Sequence, residues 1–141
     1  MISSYNKALS FVLKWEGGYV DNPEDPGGET KYGISKRSYP NLDIKNLTKQ
    51  QASKIYKKDY WERIGGDTLP FPFDILTFDF AVNAGVGRAS RLVGTAKCGK
   101  DYLFKRIEYY TQLKDFNKFG RGWINRTIAL YKLIEEMKHG S

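Results

Sequence analysis

Glu16, Asp25 and Thr30 place two carboxyl groups and a hydroxyl within fifteen consecutive residues, Glu16-Gly17-Gly18-Tyr19 … Asp25-Pro26-Gly27-Gly28-Glu29-Thr30. Two carboxyls split a glycosidic bond when one holds its proton and the other is ionised. The first protonates the leaving oxygen, and the second activates water or stabilises the cationic sugar. The two settings here differ in that sense. Glu16 follows Val12 and Leu13 by four and three positions, so it ends an apolar helical stripe, where a carboxylate loses hydration. It also stands at a helix C-terminus, the negative end of the macrodipole. Both effects favour a proton on Glu16 at neutral pH. Asp25 opens a Pro-Gly-Gly turn and is expected to be solvated and ionised. Thr30 could hydrogen-bond the attacking water or orient Asp25. A solvated helix end and an ordinary turn fit the same residue types, so spacing alone leaves both readings open.

These side chains need elements to position them. From Ser4 to Trp15 apolar groups recur at Tyr5, Leu9, Val12 and Leu13, the stripe of a core-facing helix, with Ser3 or Ser4 as its cap. Gly17-Gly18 then stops it, as glycine does where the chain leaves through a left-handed residue. Gly17 to Ile34 reads as an irregular hairpin, in which Thr30-Lys31-Tyr32-Gly33-Ile34 alternates enough for one short strand. Ser35 to Leu47 reads as a short helix or turn followed by loop. Thr48-Lys49-Gln50-Gln51 has the form of a capping box and opens a helix to about Trp61, with Ala52, Ile55, Tyr56 and Tyr60 on one face. Gly65-Gly66 ends that region, and Leu69-Pro70-Phe71-Pro72 is a rigid connector.

Phe73 to about Ala84 is apolar nearly all round, through Phe73, Leu76, Phe80 and Val82, as befits a helix at the centre of a fold. Asp79 and Asn83 share one of its faces and need partners there, either within the fold or on a substrate. Gly85 to Gly99 is basic and shows no readable element. Asp101 to about Phe116 reads as a helix. Gly120-Arg121-Gly122-Trp123 reads as a turn into a last helix carrying Ile124, Ile128, Tyr131, Leu133 and Ile134. Trp123 and Arg126 fit a cleft, or else a buried ring and a surface cation. The pattern predicts an α+β fold, mostly helical with one small β-hairpin.

Length and composition narrow the function. With 141 residues the chain is long enough for one domain with a real core, and 40% hydrophobic residues exclude a disordered chain. Ten tyrosines and three tryptophans are a high aromatic share; a core of large side chains accounts for most of them, and amphipathic rings such as Tyr19, Tyr32, Trp61 and Trp123 suit the C–H faces of sugars. A net charge of +7 favours a polyanionic partner, peptidoglycan or nucleic acid alike. No dense basic run or known nucleic-acid module is present, so no nucleic acid is expected. Cys98 and His139 stand alone, which leaves no intrachain disulfide, no Cys/His metal set and no Ser–His nucleophile. No stretch nears the roughly twenty apolar residues that span a bilayer, and no cleavable leader is recognised at the start. The expectation is a monomer made in the cytoplasm, without stable membrane insertion or cofactor. A wall substrate would then be reached through a holin, lysis or dedicated export.

The run Glu16-Gly17-Gly18-Tyr19 … Asp21-Asn22-Pro23 … Asp25-Pro26-Gly27-Gly28-Glu29-Thr30-Lys31-Tyr32-Gly33-Ile34-Ser35 closely resembles glycoside hydrolase family 108. These are lysozyme-like N-acetylmuramidases of phage endolysins and bacterial genomes, some of which carry a secretion-activator label. Further matches are Tyr60-Trp61, Phe78-Asp79-Phe80-Ala81-Val82-Asn83-Ala84-Gly85 and Gly120-Arg121-Gly122-Trp123-Ile124-Asn125-Arg126. The resemblance implies a lysozyme-like fold over residues 1–141, with a catalytic half over about 1–86. It implies hydrolysis of the β-1,4 bond between N-acetylmuramic acid and N-acetylglucosamine in peptidoglycan glycan strands, without a cofactor. The family's catalytic glutamate falls on Glu16, and Asp25 and Thr30 match its other signature positions. Tyr19, Tyr32, Trp61, Asp79, Asn83, Trp123 and Arg126 form the candidate substrate-binding set. One departure stands out: Ala89-Ser90-Arg91-Leu92-Val93-Gly94-Thr95 lacks the family's glutamine, and about 87–141 resembles a shortened peptidoglycan-binding region. The rival readings are a catalytically silent peptidoglycan-binding or secretion-associated module and, more weakly, a nucleic-acid binder. A threonine beside the aspartate suits a held water and inclines the chemistry toward inversion.

Overall fold

The apolar stripe of the first segment becomes helix α1, Ser4–Glu16, which buries Tyr5, Ala8, Leu9 and Val12. The computed structural model describes residues 4–24 and 26–140. Asp25, and Ser3 as a possible cap, lie outside them. Two compact units divide the chain, Met1–Arg63 and Ile64–Ser141.

In the first unit α1 runs through Glu16 itself, one residue beyond the expected end. Gly17 then turns left-handed at φ 81°, its amide donating to the Leu13 carbonyl at 3.2 Å. Strands β1 (Val20–Asp21), β2 (Glu29–Lys31) and β3 (Ile34–Ser35) form a small antiparallel sheet in that order. The single strand expected over Thr30–Ile34 is instead two strands and a turn. Tyr32 and Gly33 both have positive φ, 53° and 79°, the pattern of a tight two-residue hairpin, so Thr30 pairs with Ser35 and Lys31 with Ile34. A left-handed tyrosine costs about 1–2 kcal/mol. Its peptide groups offset that cost, because the Tyr32 amide donates to Gly17 at 3.1 Å and its carbonyl accepts from the Tyr56 hydroxyl at 2.5 Å.

Thr48 caps helix α2, Lys49–Tyr56, through a reciprocal capping box with Gln51. The chain then widens into a π-helical turn over Lys57–Trp61, which carries Trp61 into the core with its ring 5.2 Å from that of Tyr5.

The second unit is built on α3, Phe73–Ala84, in which every residue from Asp74 to Ala81 is buried. Around it stand α4 (Val86–Thr95), α5 (Gly99–Thr111) and α6 (Phe116–His139). Two expectations change here. The segment without a readable element contains α4, set off from α3 by Gly85 at φ 105° and tied to α5 where the Tyr102 hydroxyl donates to the Ala89 carbonyl at 3.1 Å. The turn expected at Gly120–Trp123 is continuous helix, and the break falls at 112–115 instead. Gly120 is buried against the Phe116 ring, where an added Cβ would stand 2.6 Å from Cε1. Packing therefore overrides the helix cost of glycine, about 1 kcal/mol.

The described chain is thus mostly helical with one small antiparallel sheet, the α+β class its pattern predicts. Inside α3, Asp79 is 1% exposed and faces two arginines: Arg106 Nη2 at 2.7 Å and Arg126 Nη2 at 2.8 Å. Burial pushes the Asp79 carboxyl up, but the Arg106 and Arg126 charges outweigh it and hold it below its ordinary value of 3.8. A carboxyl lowered on folding stabilises the folded state above pH 3.8 and loses that contribution as pH falls through its folded value. Asp79→Asn leaves two buried guanidiniums without their anion. Urea unfolding at neutral pH should show a loss of about 3–5 kcal/mol, and the difference between wild type and variant should shrink on acidification below that value.

Candidate active site

The α1 helix delivers Glu16 at its last residue, and the β2–β3 turn meets it there. A Cβ built on Gly33 would stand 2.6 Å from Glu16 Oε1, 2.8 Å from its Cγ and 2.6 Å from the Tyr56 hydroxyl. The Glu16 side chain therefore lies directly on the turn backbone, half-buried, beside the exposed Gly33. Tyr60 borders the same group. Burial raises its phenol above the ordinary range, and the negative charges of Asp59 and Glu16 raise it further. The Tyr60 and Tyr56 rings are 5.4 Å apart.

Thr30 sits half-buried in the middle strand, opposite Val20 on one side and Ser35 on the other. Asp25, the second candidate carboxyl, lies outside the described residues. Tyr19 is exposed, and its hydroxyl donates to Glu29 Oε2 at 2.7 Å. That hydrogen bond is the main reason its phenol is pushed up to about 12. Tyr32 lines a groove of about 410 Å³ together with Ser10, Leu13, Lys14, Gly17, Gly18 and Lys49. Trp61 is buried at 2% exposure.

The remaining candidates form a network of their own in the second unit. Asp79 and Arg126 pair with each other in the core. Asn83 accepts from the Tyr110 hydroxyl at 2.5 Å, and that hydroxyl accepts from Arg106 Nε at 2.9 Å. Trp123 stacks on the Tyr110 ring at 5.1 Å and 22°. Asp79, Asn83, Arg126 and Trp123 are thus linked through Arg106 and Tyr110, two residues that the sequence did not single out as partners.

Residues 9–85, which hold Glu16, Asp25, Thr30 and the Gly33 turn, match the model of the glycosyl hydrolase 108 family. The chain belongs to that family. A glycosyl hydrolase 108 segment over more than half the chain supports glycoside hydrolase activity. The similarity extends further in three dimensions. The solved structure of Brucella abortus SagA resembles this chain at a TM-score of 0.82 and 28% identity, over 98% of this chain and 97% of that one, which supports a lysozyme-like fold. No curated protein sequence matches the chain. Among the described residues no group of three or more His, Cys, Asp or Glu side chains could hold a metal ion, and no helix is long and apolar enough to cross a membrane.

Within this glycosyl hydrolase 108 segment, the immediate neighbours of Glu16 were only partly visible in the sequence. Gly33 belongs to the family motif, but nothing local says that its missing side chain makes room for a carboxyl seventeen positions earlier. Tyr56 has the spacing of a core residue, and only its buried hydroxyl shows a second role. The Tyr19–Glu29 pairing gives a direct check. In Glu29→Gln, NMR of ring-labelled tyrosine should show Tyr19 titrating back toward 10 from about 12, while an unchanged titration would mean that the pairing does not form in solution.

Proposed function

We propose that this glycosyl hydrolase 108 chain is an N-acetylmuramidase that cleaves the β-1,4 bond between N-acetylmuramic acid and N-acetylglucosamine in peptidoglycan. The observation that carries this reading is the placement of the Glu16 carboxyl. It lies at a helix end, half-buried on the β2–β3 turn, beside exposed backbone that a glycan can approach. Glu16 donates its proton to the leaving oxygen. Asp25, helped by Thr30, acts as base on a water molecule or stabilises the positive charge that develops on the sugar. Water and carboxyl groups complete this chemistry, so no cofactor enters it.

The substrate surface follows from the same region. Tyr19 and Tyr32 offer ring faces to saccharides, and the groove beside Gly17 and Gly18 carries Lys14 and Lys49, whose charges suit the lactyl-peptide carboxylates of the wall. Trp61 and the Asp79–Arg126 pair act from the core, by holding the elements that carry surface groups. Asn83 and Trp123, half-buried on Tyr110, are the second unit's candidates for contact with the strand. The proposed partner is a peptidoglycan strand, met by a monomer.

Wild type should clear a suspension of purified peptidoglycan and release reducing ends. Removing a positioned general acid costs about 10²–10⁴-fold in rate, so Glu16→Gln should be slower by that factor. Equal lysis by both proteins would exclude Glu16 from the mechanism. If wild type sediments with peptidoglycan and releases nothing, the chain is a silent wall-binding module instead. NMR of the first product should show the α-anomer, as inversion at a β-linked centre requires. A first-formed β-anomer would assign the retaining route and make Asp25 the nucleophile.

A further inference from the structure

We infer that Gly33 and Tyr56 are positioning residues for the Glu16 carboxyl, Gly33 by leaving space for it and Tyr56 by fixing the peptide on which it lies. This inference rests on the reading of Glu16 as the general acid and adds to it the device that holds the acid still. A glutamate has three rotatable side-chain bonds, and Glu16 ends its helix, so its own element restrains it little. The proton of a general acid must nevertheless be presented to one oxygen in one direction, and small misplacement is expensive in rate.

The geometry supplies the missing restraint. The point where a Gly33 Cβ would stand is claimed by Glu16 Oε1, Glu16 Cγ and the Tyr56 hydroxyl, all within 2.8 Å. No side chain fits there unless the carboxyl leaves. The backbone that creates this seat is held from two sides. The Tyr32 amide donates to the Gly17 carbonyl at 3.1 Å, which ties the turn to the residue after Glu16. The Tyr32 carbonyl accepts from the Tyr56 hydroxyl at 2.5 Å, which ties the same turn to α2. Tyr56 is 1% exposed, so its hydroxyl is itself held by the core. Helix α1, the β2–β3 turn and α2 thus converge on one carboxyl, although none of the three neighbours another in sequence.

Two demands on Gly33 can be separated. Its φ of 79° is left-handed, a conformation that asparagine also adopts with little penalty. The space at its Cβ is a different demand, and asparagine violates it. Gly33→Asn therefore keeps the turn and crowds the acid. Tyr56→Phe removes the hydroxyl, adds no atom and frees the Tyr32 carbonyl from its tie to α2.

The test measures kcat and KM on soluble peptidoglycan fragments for wild type, Gly33→Asn, Tyr56→Phe and Glu16→Gln, with the thermal midpoint of each. A displacement of the acid by about 1 Å costs on the order of 10²-fold, so Gly33→Asn should lose about that much in kcat with KM nearly unchanged. Tyr56→Phe should lose kcat in the same direction, by about tenfold. Wild-type kcat in both variants while Glu16→Gln is inactive would overturn the inference and leave the proposed function standing. A loss that appears in KM instead of kcat would also overturn it, because it would make these residues part of substrate binding. Full activity in Glu16→Gln would overturn the proposed function itself. If Gly33→Asn fails to fold, the kcat of Tyr56→Phe decides the matter.

Discussion

The Tyr32–Gly33 peptide is the constraint on which the first unit depends. It reverses the chain between β2 and β3, and both of its residues must be left-handed to do so in two positions. Tyrosine resists that conformation, so the turn persists only because outside groups take up its amide and its carbonyl. Those groups belong to the end of α1 and to α2. One tight turn therefore joins three elements, and the carboxyl of Glu16 rests where they meet. A strained peptide held by surrounding structure is a recurring arrangement where chemistry needs fixed geometry.

The second unit has a comparable constraint of opposite character. Asp79 stands in the most apolar helix of the chain, where a lone carboxylate is prohibitively costly. Two guanidiniums from α5 and α6 make it tolerable, and each reaches it at hydrogen-bonding distance. Ion pairs of this kind add little net stability over a well-packed apolar core, yet they are severe on any arrangement that separates them. The triad thus sets which faces of α5 and α6 turn toward α3. Tyr110 extends this network, because its hydroxyl links Arg106 to Asn83 while its ring carries Trp123.

Aromatic residues are used differently in the two units. Around Glu16 they present hydroxyls: Tyr56 holds a carbonyl, and Tyr60 lies within the field of the carboxyl. In the second unit they mostly present ring edges, and Phe80 meets Tyr102, Tyr109 and Tyr110 in edge-to-face contacts. A high tyrosine content therefore serves both a polar scaffold and a packed core, while the exposed Tyr19 and the half-buried Tyr32 stay available near Glu16 as candidate sugar platforms. Composition could suggest a saccharide surface but could not select its members.

Local chemistry made several features legible in the sequence. The stripe of α1, its end at Gly17, the Thr48–Gln51 capping box and the bounds of α3 all depend on neighbours within a turn or two, so spacing and residue type define them. By the same logic Glu16 is marked as the carboxyl at the end of an apolar helix. Other features depend on atoms far apart along the chain. A left-handed Tyr32 follows from Gly17 and Tyr56, and α4 from its contacts with α3 and α5. By itself the sequence determined the fold class, the main helices and the motif that marks the family. Tertiary structure alone decided which groups surround Glu16 and which charges meet Asp79, because the space and field at a buried group are sums over atoms that only folding brings together.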